Sequence, residues 1–213
     1  MAHDQPISIG AWFRRGWEAF KRNPGALIGG FLLLIVIGLI QLIPILGTIA
    51  YLLIAPALSV GFYSMCLKSV RGEEVKVTGI FDGFSYFVPA LGAGILLGLA
   101  VLGGMILLIV PGVIWGLMFS MWVFAIPDRH LGAVESLKFS ARITKGHKGK
   151  LFGAVLLAVL LLVIAIIPVG LGLIIVVPWE GATFAAAYES LLSAAGQSRI
   201  VVGESPPEPP STA

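Results

Sequence analysis

Long stretches without charged side chains restrict what this chain can fold into. No charge occurs in residues 25–67 or 88–126, and a third apolar stretch covers 151–192. With 58% hydrophobic and 12% charged residues over 213 positions, the composition differs from that of soluble globular proteins. Because one helical crossing needs about 20 residues, each stretch has room for two spans. The sequence therefore predicts an all-α, polytopic membrane protein.

Proline marks where each apolar stretch is expected to turn back. Pro44, Pro111 and Pro168 each follow a branched apolar residue near the middle of a stretch. This pattern predicts three hairpins with six transmembrane helices, near residues 25–43, 46–67, 88–108, 111–127, 150–167 and 169–192. Pro56 and Pro178 are expected to break two of the returning helices.

A segment with one apolar and one polar face precedes each predicted hairpin. In residues 7–23 the apolar face holds Ile9, Phe13, Trp17 and Phe20; after Thr78 it holds Ile80, Phe81, Phe84 and Phe87; in 127–150 it holds Leu131, Val134, Leu137 and Ala141. Such helices lie on a bilayer surface or against the ends of membrane helices. The chain is thus predicted to be one domain, 1–195, with repeat-like units at 7–67, 77–127 and 128–193. A proline-rich tail at 196–213 is predicted to be disordered.

All fourteen basic residues lie on one side of the predicted topology, outside the three proline turns. Under the positive-inside rule, both termini and the amphipathic helices face the cytoplasm. The candidate contacts to anionic lipid head groups are Arg14, Arg15, Lys21, Arg22, Lys138, Arg142, Lys145, Lys148 and Lys150. The simpler interpretation is that these charges only set orientation. Beside membrane spans they suit lipid better than nucleic acid.

Glu180 lies inside the last predicted span, where an unpaired carboxylate is costly. It could serve a proton, an ion or a substrate. Alternatively, Pro178 could begin a new half-helix, with Glu180 facing the free N–H groups of its first turn.

Other candidate sites favour structural interpretations. His3, His130 and His147 have no metal-ligand spacing, and the lone Cys66 reads as a core residue. Asp128 with Glu135 resembles a charged helix start more than an acid–base pair. We therefore expect no metal, no cofactor and no enzymatic activity.

Several short motifs resemble a bacterial membrane family. They comprise Pro111-Gly112, Trp122, Phe124, Ala125, Pro127, Gly132-Ala133, Glu135-Ser136-Leu137, Ser140 and Thr144 to His147, with Trp17, Phe20, Lys21, Asn23, the segment 56–63 with Gly61, Pro178 and Tyr188. This pattern is similar to the membrane domain of glycerophosphoryl diester phosphodiesterases and to YciC-like membrane proteins. The resemblance implies six spans in the bacterial inner membrane. It carries over no catalytic residue, because this chain has no separate catalytic domain after its sixth predicted span.

The leading hypothesis is a non-enzymatic inner-membrane scaffold or accessory protein that contacts anionic lipid, a protein partner or a second copy of itself. The alternative is a small transporter or lipid-handling protein that uses Glu180 and proline-broken helices.

Overall fold

The computed structural model describes residues 7–107, 109–167 and 170–197. Regular structure in these ranges is helical, without strands, which confirms the all-α prediction. The α-helices are α1 (Ile9–Arg22), α2 (Pro24–Gly38), α3 (Leu46–Val70), α4 (Phe87–Leu107), α5 (Ile109–Phe119), α6 (Trp122–Arg129), α7 (Ala133–Ile143), α8 (Lys148–Ile166) and α9 (Leu173–Ala194). Two 3-10 helices cover Leu39–Leu42 and Val77–Tyr86. The predicted tail from residue 198 onward lies outside the described residues.

Four helical stretches among the described residues are long and apolar enough to cross a membrane. They are Pro24–Leu42, Leu46–Val70, Val77–Met105 and Lys148–Ile166. The predicted fourth span is divided into α5 and α6, which have 11 and 8 residues. The predicted sixth span corresponds to α9, which is long enough but carries Glu180 and Glu189 among many small residues. The chain is a membrane protein, and the part of it that the structure describes contains four candidate spans by length and composition.

The helix breaks predicted at Pro56 and Pro178 are wrong. Pro56 lies inside α3 and Pro178 inside α9, and both helices continue past their proline. Neighbouring helices in a membrane protein can compensate for the lost backbone hydrogen bond. Pro44 lies between a 3-10 helix and α3, whereas Pro111 belongs to the first turn of α5, where proline fits. Pro168 lies outside the described residues.

The first amphipathic segment forms α1, whose apolar face is buried in the protein. Ser8 caps this helix by accepting a hydrogen bond from the Ala11 N–H at 3.2 Å. Trp12 and Phe20 are buried, and Phe13 packs edge-on against Trp179 of α9 at 5.7 Å between ring centroids. The ends of membrane helices therefore cover most of this face, although Trp17 is exposed.

The second amphipathic segment is a 3-10 helix, so its buried face differs from the predicted one. Three residues per turn place Ile80 and Gly83 on the buried side. Phe81 and Phe84 are exposed and stack on each other at 6.4 Å. The prediction that Ile80 shares a face with both phenylalanines is therefore wrong.

The third amphipathic segment, 127–150, is not one helix. It contains the end of α6, a left-handed turn at His130 with φ of 50°, the whole of α7 and the start of α8. Leu137, Phe139 and Ile143 form the buried side of α7, while Val134 of the predicted stripe is exposed.

Burial differs strongly between the two ends of the molecule. One end joins α1, α6 and α7 to the final turns of α3 and α9, and most of the fully buried large side chains lie there. At the other end, the apolar residues near the helix turns are exposed, including Leu42, Ile45, Leu102, Ile167 and Leu171. Such an apolar surface is stable where hydrocarbon surrounds it, as in a bilayer.

Close backbone contacts attach the second amphipathic segment to α3. A Cβ atom on Gly61 would overlap with the carbonyl oxygen of Ile80, and one on Gly83 would overlap with that of Ala57. Only glycine permits this separation between the two elements.

We expect Gly61→Ala to destabilise the protein by about 1–3 kcal/mol, because the added methyl group forces α3 and the 3-10 helix apart. Gly98→Ala is the matched control, since a Cβ there meets nothing within 4 Å. Apparent Tm in detergent measures both variants. An equal Tm for the two would contradict the close packing.

Candidate functional site: a buried ionic junction

Three aromatic rings connect the helices that return toward the charged end. Tyr63 of α3 packs edge-on against Phe124 of α6 at 5.2 Å, and Phe124 stacks on Tyr188 of α9 at 5.4 Å. The three helices thereby come together next to their final turns, although they are far apart in sequence.

Arg71, directly after α3, forms ion pairs with both of the other helices. Its Nη2 lies 2.6 Å from Asp128 Oδ1 on α6 and 2.6 Å from Glu189 Oε1 on α9. Its Nε also donates a hydrogen bond to Glu189 Oε1 at 2.7 Å. Nη2 therefore makes close charged contacts with both carboxylates, and Nε adds a hydrogen bond to Glu189. Arg71, Asp128 and Glu189 constitute the ionic junction.

The Asp128 carboxylate uses both of its oxygens. Besides the Arg71 contact, Oδ2 accepts a hydrogen bond from the Tyr188 hydroxyl at 2.9 Å and another from Arg129 Nε at 3.3 Å. The Arg129 guanidinium also donates to the carbonyl oxygen of Gln197, just after α9. Asp128 is therefore not part of a helix start, as the sequence suggested, but the central acceptor of the junction.

Burial and charge both act on the arginines near the junction. Burial alone lowers the pKa of Arg71, but Glu189 and Asp128 outweigh it, so its pKa lies above the ordinary value. Burial lowers the pKa of Arg15 on α1, and the negative charges of Glu189 and Glu18 oppose that shift. Glu189 is thus within electrostatic range of α1 as well as α3.

A polar cavity of about 130 Å³ adjoins the junction. It is lined by Ser64, Leu67, Lys68, Arg71, Glu73, Pro127, Asp128 and His130. This volume has room for about four water molecules, so solvent can reach one side of Arg71.

Polar side chains of α7 and of the residue after it bind backbone groups at the break between α5 and α6. Ser140 Oγ donates to the Met118 carbonyl at 2.9 Å and accepts from the Met121 N–H at 3.0 Å. Thr144 Oγ1 also donates to the Met118 carbonyl, at 3.1 Å. Backbone groups left unpaired by the break are satisfied this way, which holds α7 in one orientation.

The predicted basic residues fall into two groups. Seven side chains are exposed: Arg14, Lys21, Arg22, Lys138, Arg142, Lys145 and Lys150. Arg15 and Lys148 are partly buried. Lys150 Nζ donates to the Ile7 carbonyl at 2.7 Å, and Arg142 lies over the Phe139 ring at 5.7 Å.

Glu180 is buried with 7% of its surface exposed, and its Oε1 has no hydrogen-bond partner. Because α9 begins at Leu173 and continues through Pro178, Glu180 does not lie on the first turn of a helix. The capping interpretation is therefore wrong. The other candidates show no metal cluster, since no group of three His, Cys, Asp or Glu side chains occurs within the described ranges.

Sequence reasoning missed Arg71 and Glu189 and misplaced Asp128. Arg71 follows the first returning helix directly. Each returning helix carries charge near its end: Lys68 and Arg71 in the first repeat unit, Asp128 and Arg129 in the second, and Glu189 in the third. Opposite signs at related positions of a repeat were the available signal.

Comparison with known proteins supports membrane location and little more. The chain is 37% identical over 79 residues to a Burkholderia thailandensis protein described as a probable inner membrane protein. The match covers 37% of this chain and 29% of that protein, so this chain spans less than a third of its relative. No protein-family model and no solved structure matches the chain.

We expect Arg71→Met to destabilise the protein by about 1–3 kcal/mol, because the buried Asp128 carboxylate and the partly buried Glu189 lose the guanidinium that they share, while Asp128 keeps Arg129. Lys68→Met is the matched control: its pair with Asp82, at 3.2 Å, is largely exposed and contributes roughly 0–1 kcal/mol. Apparent Tm in detergent compares them. Equal, small effects would show that the junction contributes no more than a surface ion pair.

Proposed function

We propose that this protein is a non-enzymatic scaffold or accessory protein of the bacterial inner membrane, which holds a rigid basic surface against anionic lipid head groups. The basic surface consists of the seven exposed side chains of α1, α7, the turn after α7 and the start of α8. A protein partner with an acidic face is a second possible occupant of the same surface.

The proposed topology has six crossings in three hairpins, with both termini in the cytoplasm. A Cβ on Gly104 of α4 would lie 2.8 Å from Gly112 Cα of α5, and one on Gly116 would lie 3.9 Å from Val101 Cγ2, as in an antiparallel pair. A Cβ on Gly172, next to α9, would similarly lie 2.7 Å from the Ala165 carbonyl of α8. These contacts support hairpins at the second and third predicted turns.

The observation that carries the proposal is the fixed orientation of the basic helices. The apolar faces of α1 and α7 are buried in the protein, so these helices cannot roll to hide their charged faces. Each basic residue held near an anionic leaflet contributes on the order of 1 kcal/mol. Attraction to lipid would thus depend on charge more than on insertion of an apolar face.

One observation favours the alternative of a transporter or lipid-handling protein. Glu180 is a buried carboxyl group without a partner for Oε1, the kind of residue that marks transport pathways in membranes. Proline-broken helices no longer support this alternative, since α3 and α9 are continuous.

We expect Lys138→Gln, Arg142→Gln and Lys145→Gln together to reduce retention of anionic lipid in mixed nanodiscs severalfold, because three charges leave the surface. Native mass spectrometry or lipid analysis after washing measures retention. The matched control exchanges the same positions without changing charge: Lys138→Arg, Arg142→Lys and Lys145→Arg.

The lipid proposal requires that the neutral variant alone loses anionic lipid while both variants keep the Tm of the native protein. If both variants retain lipid equally, the basic surface has another role, such as orientation or a protein partner.

A further inference from the structure

Glu180 differs from the other acidic residues in the helical core. Asp128 and Glu189 are paired with Arg71, whereas no ion pair within the described ranges involves Glu180. Its Oε1 is buried and without a hydrogen-bond donor, and the continuity of α9 removes the free N–H groups that a helix start would supply. The carboxyl group must therefore be accommodated by some other means.

The elements packed on α9 offer no cation to Glu180. From α3, Tyr63 lies within electrostatic range, and the space beside the next residue, Gly181, is occupied by Phe62 and Cys66. From α1, the Phe13 carbonyl accepts a bond from Trp179, and Gly16 lies against Thr183. These are neutral groups.

Charged groups elsewhere on the same elements have other surroundings. On α3, Lys68 is largely exposed and pairs with Asp82 at 3.2 Å. On α1, Arg15 interacts with Glu189 and Glu18, and the remaining charged residues are exposed. On α8, Lys148 contacts the Met118 sulfur and Lys150 bonds to the Ile7 carbonyl. The charged residues of α7 are exposed, and α2 contains no ionisable side chain.

An ionised carboxylate in such a place is costly, whereas the neutral acid avoids most of that cost. From this geometry we propose that Glu180 is a proton-binding site, whose carboxyl group carries a proton while the helices α1, α3 and α9 are packed around it. The ligand is the proton itself. This inference does not depend on lipid contact by the basic surface.

A second unpartnered group lies on α1, the helix that packs against Trp179 and Thr183 of α9. Trp12 is fully buried, and its Nε1–H has no acceptor. On α1 it lies one turn before Gly16, which contacts Thr183, and one residue before Phe13, which contacts Trp179. Glu180 lies between those two α9 residues in sequence.

A hydrophobic carbodiimide tests the proposal, because it reacts with carboxylic acids inside membranes. The acid proton moves to one carbodiimide nitrogen and the carboxyl oxygen adds to the central carbon, so the product carries the mass of the whole reagent. With dicyclohexylcarbodiimide on the full chain in membranes, we expect an adduct at Glu180 by peptide mass spectrometry. Glu180→Gln should abolish it, and Glu74→Gln, an exposed site, should not.

Two further measurements keep the outcome clear. A water-soluble carbodiimide should label exposed carboxyl groups but not Glu180. Glu180→Gln should retain the Tm of the native protein, since a neutral amide replaces a neutral acid. The proposal is overturned by absence of the adduct, by equal labelling with the soluble reagent, or by a Gln variant that unfolds. Lipid retention by Glu180→Gln should be unchanged, which separates this test from that of the basic surface.

Discussion

The contact of one guanidinium with two carboxylates determines how the helices of this protein meet. Arg71 joins the end of α3 to Asp128 on α6 and Glu189 on α9. Tyr188 and Arg129 donate further hydrogen bonds to the Asp128 carboxylate. Buried charges are stable only when paired. The ends of α3, α6 and α9 must therefore bring their charged residues to the same level of the helix bundle. The aromatic contacts among Tyr63, Phe124 and Tyr188 pack the same three helices together next to this junction.

This junction explains why the protein has two unlike ends. Around it, α1 and α7 pack their apolar sides inward, and their basic residues remain outside. Away from it, the helices present exposed leucine, isoleucine and valine side chains that a bilayer would cover. A rigid polar end and a lipid-covered apolar end suit a protein that presents a surface at the membrane.

Composition and helical periodicity predicted the helical class, the membrane setting and the existence of α1 and α7, because these depend on local patterns of apolar residues. Interactions between distant helices were not predictable this way. The pairing of Arg71 with Glu189 joins residues 118 positions apart. Pro56 and Pro178 were expected to break helices because local rules omit the neighbours that compensate, and a break instead occurs between α5 and α6, where Ser140 supplies the missing partners.

The central claim is that the ionic, basic end faces the cytoplasm and the apolar turns face the opposite side. Single cysteines at Ile45, before α3, and at Lys145, after α7, test it most directly, because both positions are exposed while the native Cys66 is buried. In intact spheroplasts, a membrane-impermeant maleimide should label Cys at 45 and not at 145, and in inverted vesicles the pattern should reverse. Labelling of both positions from the same side would contradict the account.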